Sequence, residues 1–379
     1  MIYKYTNITL PNHTKIATSA IMEALESHTY LVVDLGDPSS SDTNTPNPTN
    51  TLHDMWKSIE AFFSVPNRSE ITPPMEVVPD AGSRHAVFGY ATYDDDAMQF
   101  LETRMLRFSE TNDILPSQIK DMIGENAVQS LTQAFHVLSK IGKDIVTIAT
   151  AAATQEANAY TPNYNDDDAV DAAILMTNDL LDDGTSQSNT KEMDTTVSMS
   201  PHRMCRYTSK STSSTDDDKK GEEIFGAHTD TSFVTIIPVA AVSGLEVFDD
   251  ESNQWIRPEK IAREHWEKHY QNKDTSNDTI PWHCRYVVIM SGEFLQLVTR
   301  GMIPCAVHRV VAVTGGESRL SAPVLLRARS KMVMDIEKYF GESEASDNNN
   351  LDIDDIVGKE LLVDCNQMTM EEIHDALQP

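Results

Sequence analysis

The residues best equipped for chemistry in this chain lie in Gly226-Ala227-His228-Thr229-Asp230-Thr231-Ser232-Phe233. An imidazole and a carboxylate stand two positions apart at the mouth of an apolar run, Val234 to Val239. In an extended segment, residues two apart share a face, so His228 and Asp230 can grip one cation together. A third donor must come from elsewhere, and His308, in Ala306-Val307-His308-Arg309-Val310, is the best candidate. Two imidazoles and a carboxylate form the facial triad that holds non-haem Fe(II) and leaves positions open for other ligands. Further on, Arg319-Leu320-Ser321 places a cation and a hydroxyl two apart. That pair suits the far carboxylate of a dicarboxylic cosubstrate. Spacing alone also admits a plainer reading, with His228 in a turn and His308 as a hydrogen-bonded sheet residue.

The elements around these residues change character along the chain. Residues 15–36 read as a helix followed by a short strand, Tyr30 to Leu35, and 37–50 as a Ser-, Thr- and Pro-rich loop. Trp56, Ile59, Phe62 and Phe63 recur at helical spacing over 53–63, until Pro66 ends the pattern. Residues 70–115 look irregular. Ser117 is placed to cap a long helix to about Ala149, whose apolar stripe includes Ile119, Leu131, Phe135, Leu138 and Ile141. Residues 161–200 are acidic and polar around one apolar turn, Val170 to Leu175, and read as an insertion. From Met204 onward, short β-rich segments separated by Gly, Pro and Asp predict a sandwich or barrel. These include Phe233–Val239, Gly244–Phe248, Tyr286–Met290, Phe294–Val298, Ala306–Val313 and Leu320–Leu326, with a helix over 259–271 interrupting. Thr369-Met370-Glu371-Glu372 has the form of a capping box opening a last helix.

Composition narrows the classes of function. A chain of 379 residues with 40% hydrophobic and 23% charged content can bury a substantial core. Its formal net charge of -29 opposes non-specific binding to nucleic acid or to an anionic membrane surface. Part of the excess lies in Asp runs at 166–168, 216–218 and 347–355, which read as solvated loops. Cys205, Cys284, Cys305 and Cys365 show no metal-type spacing and read as reduced thiols. No signal core and no apolar run of membrane-spanning length is seen, so a cytoplasmic location is expected.

The motifs around the candidate site extend well past five residues. Ser243-Gly244-Leu245-Glu246-Val247 resembles a Gly-Leu-x-Val strand, and Asn253-Gln254-Trp255-Ile256-Arg257-Pro258 a Trp-x-x-Pro turn. Gly292-Glu293-Phe294-Leu295-Gln296-Leu297-Val298-Thr299-Arg300-Gly301 resembles Gly-Asp-x-Leu-Gln-x-x-Thr-Asn-Gly. His308-Arg309-Val310 matches His-Arg-Val, and Arg319-Leu320-Ser321-Ala322-Pro323 matches Arg-x-Ser-x-Pro. Together these resemble the isopenicillin N synthase-like branch of the Fe(II)/2-oxoglutarate-dependent dioxygenases. The likeness is strongest from about Met204 to Arg327, and Phe62-Phe63-Ser64-Val65-Pro66 extends it more weakly into the N-terminal half.

The resemblance implies an α+β chain with a double-stranded β-helix (jelly-roll) core and a helical N-terminal region. The organisation expected is a helical region over 1–160, an acidic insertion over 161–200, the jelly-roll domain over 201–330 and an acidic extension over 331–379. It implies Fe(II) on His228, Asp230 and His308, and 2-oxoglutarate held by Arg319 and Ser321. With O2, and ascorbate as an assay reductant, such a centre couples 2-oxoglutarate decarboxylation to hydroxylation, desaturation or cyclisation of a small molecule. Alternatives are a related Fe(II) oxidase that uses no 2-oxoglutarate, and a non-catalytic binding protein on the same fold. Neither nucleic acid nor membrane is expected as a partner.

Some positions depart from the pattern. Glu293 replaces Asp, and Arg300 replaces Asn close to the expected site. Arg206 is followed by Tyr207, Thr208, Ser209 and Lys210, without the Asn-x-Tyr ending expected of that strand. His265 and His269 stand one helical turn apart, but Trp266 follows the first where a zinc protease needs Glu. They read as an exposed helix face. His283 and Cys284 read as packing residues.

Overall fold

The computed structural model describes residues 2–4, 15–37, 47–66, 75–77, 87–93, 97–107, 117–157, 166–185, 195–208, 223–271, 280–311, 318–340 and 364–377. Much of the expected loop at 37–50, the Asp runs at 216–218 and 347–355, and most of the acidic C-terminal extension lie outside them.

The N-terminal half supplies α1 (Lys15–His28), α2 (Pro48–Ser64), α3 (Ser117–Ile123), α4 (Glu125–Ala157) and α5 (Asp166–Leu180). Asn47 caps α2 by accepting from the Thr49 and Asn50 amides, and Pro48 fits the first turn, where no amide donor is needed. The single helix expected from Ser117 is two helices, broken at Gly124. Residues 161–200 hold more order than one apolar turn. Helix α5 has Ala173, Met176 and Leu180 buried, and Asp182 just beyond it is fully buried.

The strands are β1 (Ile2–Lys4), β2 (Tyr30–Asp34), β3 (Glu76–Val77), β4 (Val87–Tyr93), β5 (Met98–Leu106), β6 (Val197–Tyr207), β7 (Glu223–His228), β8 (Val234–Pro238), β9 (Leu245–Asp249), β10 (Gln254–Ile256), β11 (Tyr286–Ser291), β12 (His308–Val311), β13 (Arg319–Ser321) and β14 (Val324–Leu326). A ten-stranded sheet runs β1-β2-β11-β8-β14-β6-β5-β4-β3, with β13 also paired to β6. A four-stranded sheet runs β10-β9-β12-β7. Strand β2 therefore lies inside the large sheet, paired antiparallel to β11 through Val33–Val287 and Leu31–Ile289. The stretch 70–115, expected to be irregular, supplies β4 and β5 at the far edge. There the alternation of apolar residues is masked by Glu102 and Arg104, which are buried as a pair.

The large sheet separates two kinds of packing, and side-chain alternation decides which residue goes where. Leu101, Met204, Val234, Ile236, Val324 and Leu326 join Phe62, Phe135, Leu138, Ile141 and Ile145 in the main core, so α2 and α4 cover that face. On the opposite face, Val32, Ile237 and Val288 pack with Leu245 and Val247 of the small sheet. Phe100, Cys205 and Tyr207 pack there with Val310. Helices, large sheet and small sheet thus form three layers. The interior between the sheets receives the odd-numbered residues of β6 and β14.

Helix α6 (Pro258–His269) follows β10 as expected, and a 3-10 turn (Trp282–Arg285) leads into β11. Residues 294–298, read as a strand, lie in helix α7 (Glu293–Val298). Phe294, Leu295, Leu297 and Val298 are all buried, and a fully buried short run carries no periodicity that separates helix from strand. Helices α8 (Ile336–Phe340) and α9 (Met370–Leu377) close the described chain. The capping box at α9 is present: the Glu372 amide donates to Thr369 Oγ1 at 3.2 Å, and Glu372 Oε2 accepts from the Thr369 amide at 2.8 Å. Among the described residues, no helix is long and apolar enough to cross a membrane.

Candidate metal centre

Strand β7 ends at His228 and β12 begins at His308, and the two residues face each other in register. Their rings lie 4.2 Å apart between centroids. Asp230 follows two residues after His228, in the turn that leads to β8. His228 Nε2 lies 3.8 Å from Asp230 Oδ1, and His308 Nε2 lies 3.6 Å from Asp230 Oδ2. Both separations exceed a hydrogen bond, and they suit donors that surround a common point. One donor atom from each of the three residues lies within 4.8 Å of the others; among the described residues they form the one such group of His, Cys, Asp or Glu.

The remaining polar atoms of the group are committed elsewhere, which fixes which nitrogen is free. His228 Nδ1 donates to Gly226 O at 2.7 Å, and His308 Nδ1 donates to Ala306 O at 3.2 Å. With Nδ1 protonated, each Nε2 keeps its lone pair aimed at Asp230. Burial, and then the neighbouring His308, pull the His228 imidazole below its ordinary range, which favours the neutral, ligating form. Burial pushes the Asp230 carboxyl up, but His308, the Thr235 hydroxyl and His228 outweigh it and hold it below the usual carboxylate range. Thr235 donates to Asp230 Oδ2 at 2.5 Å. Two imidazoles and a carboxylate, oriented by outer partners, match the donor chemistry of Fe(II).

The turn carrying Asp230 is clamped by the start of α7. The Thr229 and Thr231 hydroxyls donate to the two oxygens of Glu293, each at 2.6 Å. The Glu293 amide donates to Asp230 O at 3.0 Å. Glu293, a departure from the motif in the sequence, thus straddles the Asp230 turn. Gly292 permits this approach, because a Cβ there would collide with Ser232 O.

Arg319 and Ser321 lie on β13, paired with Tyr207 and Cys205 of β6, and both are buried. Leu320 packs toward the main core, so alternation turns Arg319 and Ser321 to the interior that receives Cys205 and Tyr207. The Arg319 guanidinium lies 5.5 Å from the centroid of the Tyr207 ring. A tyrosine therefore stands beside Arg319, although the strand lacks the Asn-x-Tyr ending. Arg319 Nη2 donates to Glu259 Oε1 at 2.7 Å. Glu259 Oε2 in turn accepts from the Gly244 and Leu245 amides at 2.7 and 3.1 Å. Arg319 Nε and Nη1 are buried without a hydrogen-bond partner among the described residues. The guanidinium is thus oriented through one nitrogen and unsatisfied on two.

No family model and no curated protein matches the chain. Solved structures do. A full-length Neurospora crassa protein, in complex with alpha-KG and 5-formyluracil, matches at 14% identity and a TM-score of 0.54, covering 95% of this chain and 95% of that one. The chain has the fold of that Neurospora protein. The same protein with alpha-KG and thymine matches at 13% identity and a TM-score of 0.52, covering 95% and 94%. Arabidopsis thaliana dioxygenase for auxin oxidation 1, in its 2-oxoglutarate complex, is 19% identical, with a TM-score of 0.48 and coverage of 86% and 93%. The Neurospora likeness runs over nearly the whole chain.

The other sequence candidates lie away from the centre. His265 and His269 stack at 4.5 Å on α6, with His265 Nδ1 3.0 Å from the Tyr286 hydroxyl. His283 and Cys284 are buried, His283 edge-on to Trp56 at 5.8 Å. Arg300 does not line the site as its sequence position suggested; its guanidinium lies 5.3 Å from the Phe340 centroid, in the main core. Arg206 donates to Phe63 O at 3.2 Å, on the helix side of the sheet. Thr235, Glu259 and Glu293 were not singled out as site residues. A hydroxyl inside an apolar β8 and a buried acid one residue after the Trp-x-x-Pro turn were the signals available.

Proposed function

We propose that the chain is a non-haem Fe(II) oxygenase of the isopenicillin N synthase-like family, coupling 2-oxoglutarate decarboxylation to oxidation of a small organic substrate. The observation that carries this reading is the convergence of His228, Asp230 and His308, with donor atoms within 4.8 Å of one another. The two packed sheets form the double-stranded β-helix core, and the helices that precede them form the N-terminal region. Of the expected segments, 201–330 carries the site; 1–160 adds β1–β5 to the large sheet besides its helices, and 161–200 packs α5 into the core and begins β6 at Val197.

His228 Nε2, His308 Nε2 and one Asp230 oxygen hold the iron. When bound, the metal with 2-oxoglutarate and O2 supplies the oxidising power, yielding succinate and CO2 and leaving an oxidised C–H bond in the substrate. The chain's own residues bind and orient. Arg319 donates to the distal carboxylate of 2-oxoglutarate through its free nitrogens, and the Ser321 hydroxyl donates to the same group. Glu259 keeps the guanidinium from rotating. Thr235 holds the Asp230 carboxylate in one orientation, and Glu293 holds the turn behind it.

Anaerobic addition of Fe(II) and 2-oxoglutarate gives a visible charge-transfer band on this account, and admitting air releases succinate. Asp230→Ala abolishes both. Wild-type protein showing neither band nor succinate would contradict the assignment. The Glu259–Arg319 pair supports a second reading, because the guanidinium already has a carboxylate partner within the chain. In that case the protein is an iron oxidase that takes no 2-oxoglutarate, and O2 uptake proceeds without it.

A further inference from the structure

The interior face of the large sheet carries more positive charge than its own acids neutralise. Glu102 is fully buried and serves two arginines. Arg104 Nη2 donates to Glu102 Oε1 at 2.7 Å, and Arg203 Nε donates to Oε2 at 2.8 Å. Arg104 spends its other nitrogens on backbone carbonyls, Nε on Val87 at 2.8 Å and Nη1 on Ser198 and Met199 at 3.2 and 2.5 Å. A third guanidinium, Arg327, is 9% exposed, and its Nε and Nη1 have no hydrogen-bond partner among the described residues. It feels the charges of Arg104, Glu102, Arg203 and Asp230.

Its position follows from strand register. Leu325 faces Thr235 across β14 and β8, and Thr235 donates to Asp230. Arg327 lies one residue beyond β14, its amide donates to Ser200 Oγ at 2.9 Å, and the charges acting on its guanidinium are those of Arg104, Glu102, Arg203 and Asp230. Phe233, which follows the Asp230 turn, donates its amide to Leu326 O at 2.7 Å. The guanidinium therefore belongs to the same interior as the metal centre. Arg319 is also there, but it already has Glu259. Leaving a charged group buried and unpaired costs several kcal/mol, so a fold keeps one where a ligand completes it.

We propose that Arg327, with Arg203 beside it, binds a carboxylate of the primary substrate, so that the enzyme acts on an organic acid. This rests on the oxygenase reading for the presence of a substrate, and it is separable from that reading in experiment. Arg327 is the specificity residue; Arg203, whose side chain is 29% exposed, is the more open of the pair. The neighbouring Glu102 is fully engaged by Arg104 and Arg203 and leaves Arg327 to the ligand. The assigned anion is distinct from 2-oxoglutarate, whose distal carboxylate goes to Arg319.

The test uses the full chain loaded with Zn(II) and 2-oxoglutarate, which is inert to air, and saturation-transfer NMR. The probes are benzoate, phenylacetate, cinnamate and decanoate, each beside its primary amide. At least one acid binds at least tenfold more tightly than its amide. Arg327→Gln removes that preference, and Arg327→Lys restores part of it. Neither variant changes the Fe(II)–2-oxoglutarate band measured anaerobically. Arg327→Met keeps or raises the thermal midpoint, because no internal partner is lost. Acids and amides binding alike, or no acid binding, would overturn the proposal. So would loss of the band in Arg327→Gln, which would put the cosubstrate on Arg327, or a lowered midpoint in Arg327→Met, which would make it a structural ion. Absence of the band in the wild type alone would instead overturn the oxygenase reading and leave the acid preference standing.

Discussion

Asp230 has more to satisfy than either imidazole. Its carboxylate faces two Nε2 atoms, accepts from Thr235, and sits on a turn whose backbone is held by Glu293. Thr235 is the cleanest probe of this arrangement, because valine keeps its shape and removes the donor. Thr235→Val is expected to weaken metal affinity by about 10–100-fold with little loss of fold, as is typical of partners behind a metal ligand. Competitive metal titration measures it, and an unchanged affinity would mean that Asp230 orients without help. Protons compete for the imidazoles, so metal affinity falls as pH drops. Burial, and then His308, lower His228, so its share of that loss comes below the ordinary histidine value of about 6.5. His228, Asp230 and His308 could be singled out in the sequence because their motifs are local, and the fold brings them together; the role given to Arg319 and Ser321 is a proposal. Glu259 could not be singled out, since its meaning comes only from α6 packing against β9 and β13.

At the scale of elements, the buried ion pairs decide more than the helix ends. Asp182, just after α5, pairs with Arg107 and accepts from the Met199 amide at 2.6 Å. Burial pushes its carboxyl up, yet Arg107 and Arg329 outweigh that and hold it low. Glu102 is likewise held low, by Arg203 and Arg104 against its burial. A carboxyl depressed in the fold stabilises above its unfolded value, about 3.9 for Asp, and that stability is lost as pH falls through the folded value. Unfolding free energy should therefore hold steady near neutrality and fall steeply below about pH 4. Asp182→Asn is expected to cost about 3–5 kcal/mol at neutral pH, by removing the negative charge that the buried Arg107 faces. It should also flatten the acid slope. Denaturant melts at several pH values check both, and a variant as stable as the wild type would refute the pairing. The sequence could not reveal this pair: Asp182 sits in an acidic, polar stretch that reads as solvated. The strand misread at α7 has a similar cause, since burial on all sides erases the period that distinguishes the two structures.

The whole molecule sets a negative exterior against an arginine-rich interior. The formal charge of -29 repels a dianionic cosubstrate at long range. Arg319 attracts it only at close quarters, where salt screens little. The association rate for 2-oxoglutarate should therefore rise as ionic strength goes from about 0.01 M to about 0.15 M. Stopped-flow formation of the charge-transfer band gives that rate, and a decrease would mean that local attraction governs entry. The two-sheet plan was legible from short β-segments and turn residues after Met204. The joining of β2, β4 and β5 to the large sheet was not, because these pairings are long-range and leave no local mark. The central claim is that one ion sits between three side chains from distant parts of the chain. Crystals grown anaerobically with Fe(II), with anomalous diffraction recorded at the iron edge, address it directly. A single strong peak bonded to His228 Nε2, His308 Nε2 and an Asp230 oxygen is expected; a peak at His265 and His269, or none within reach of Asp230, would contradict this assignment.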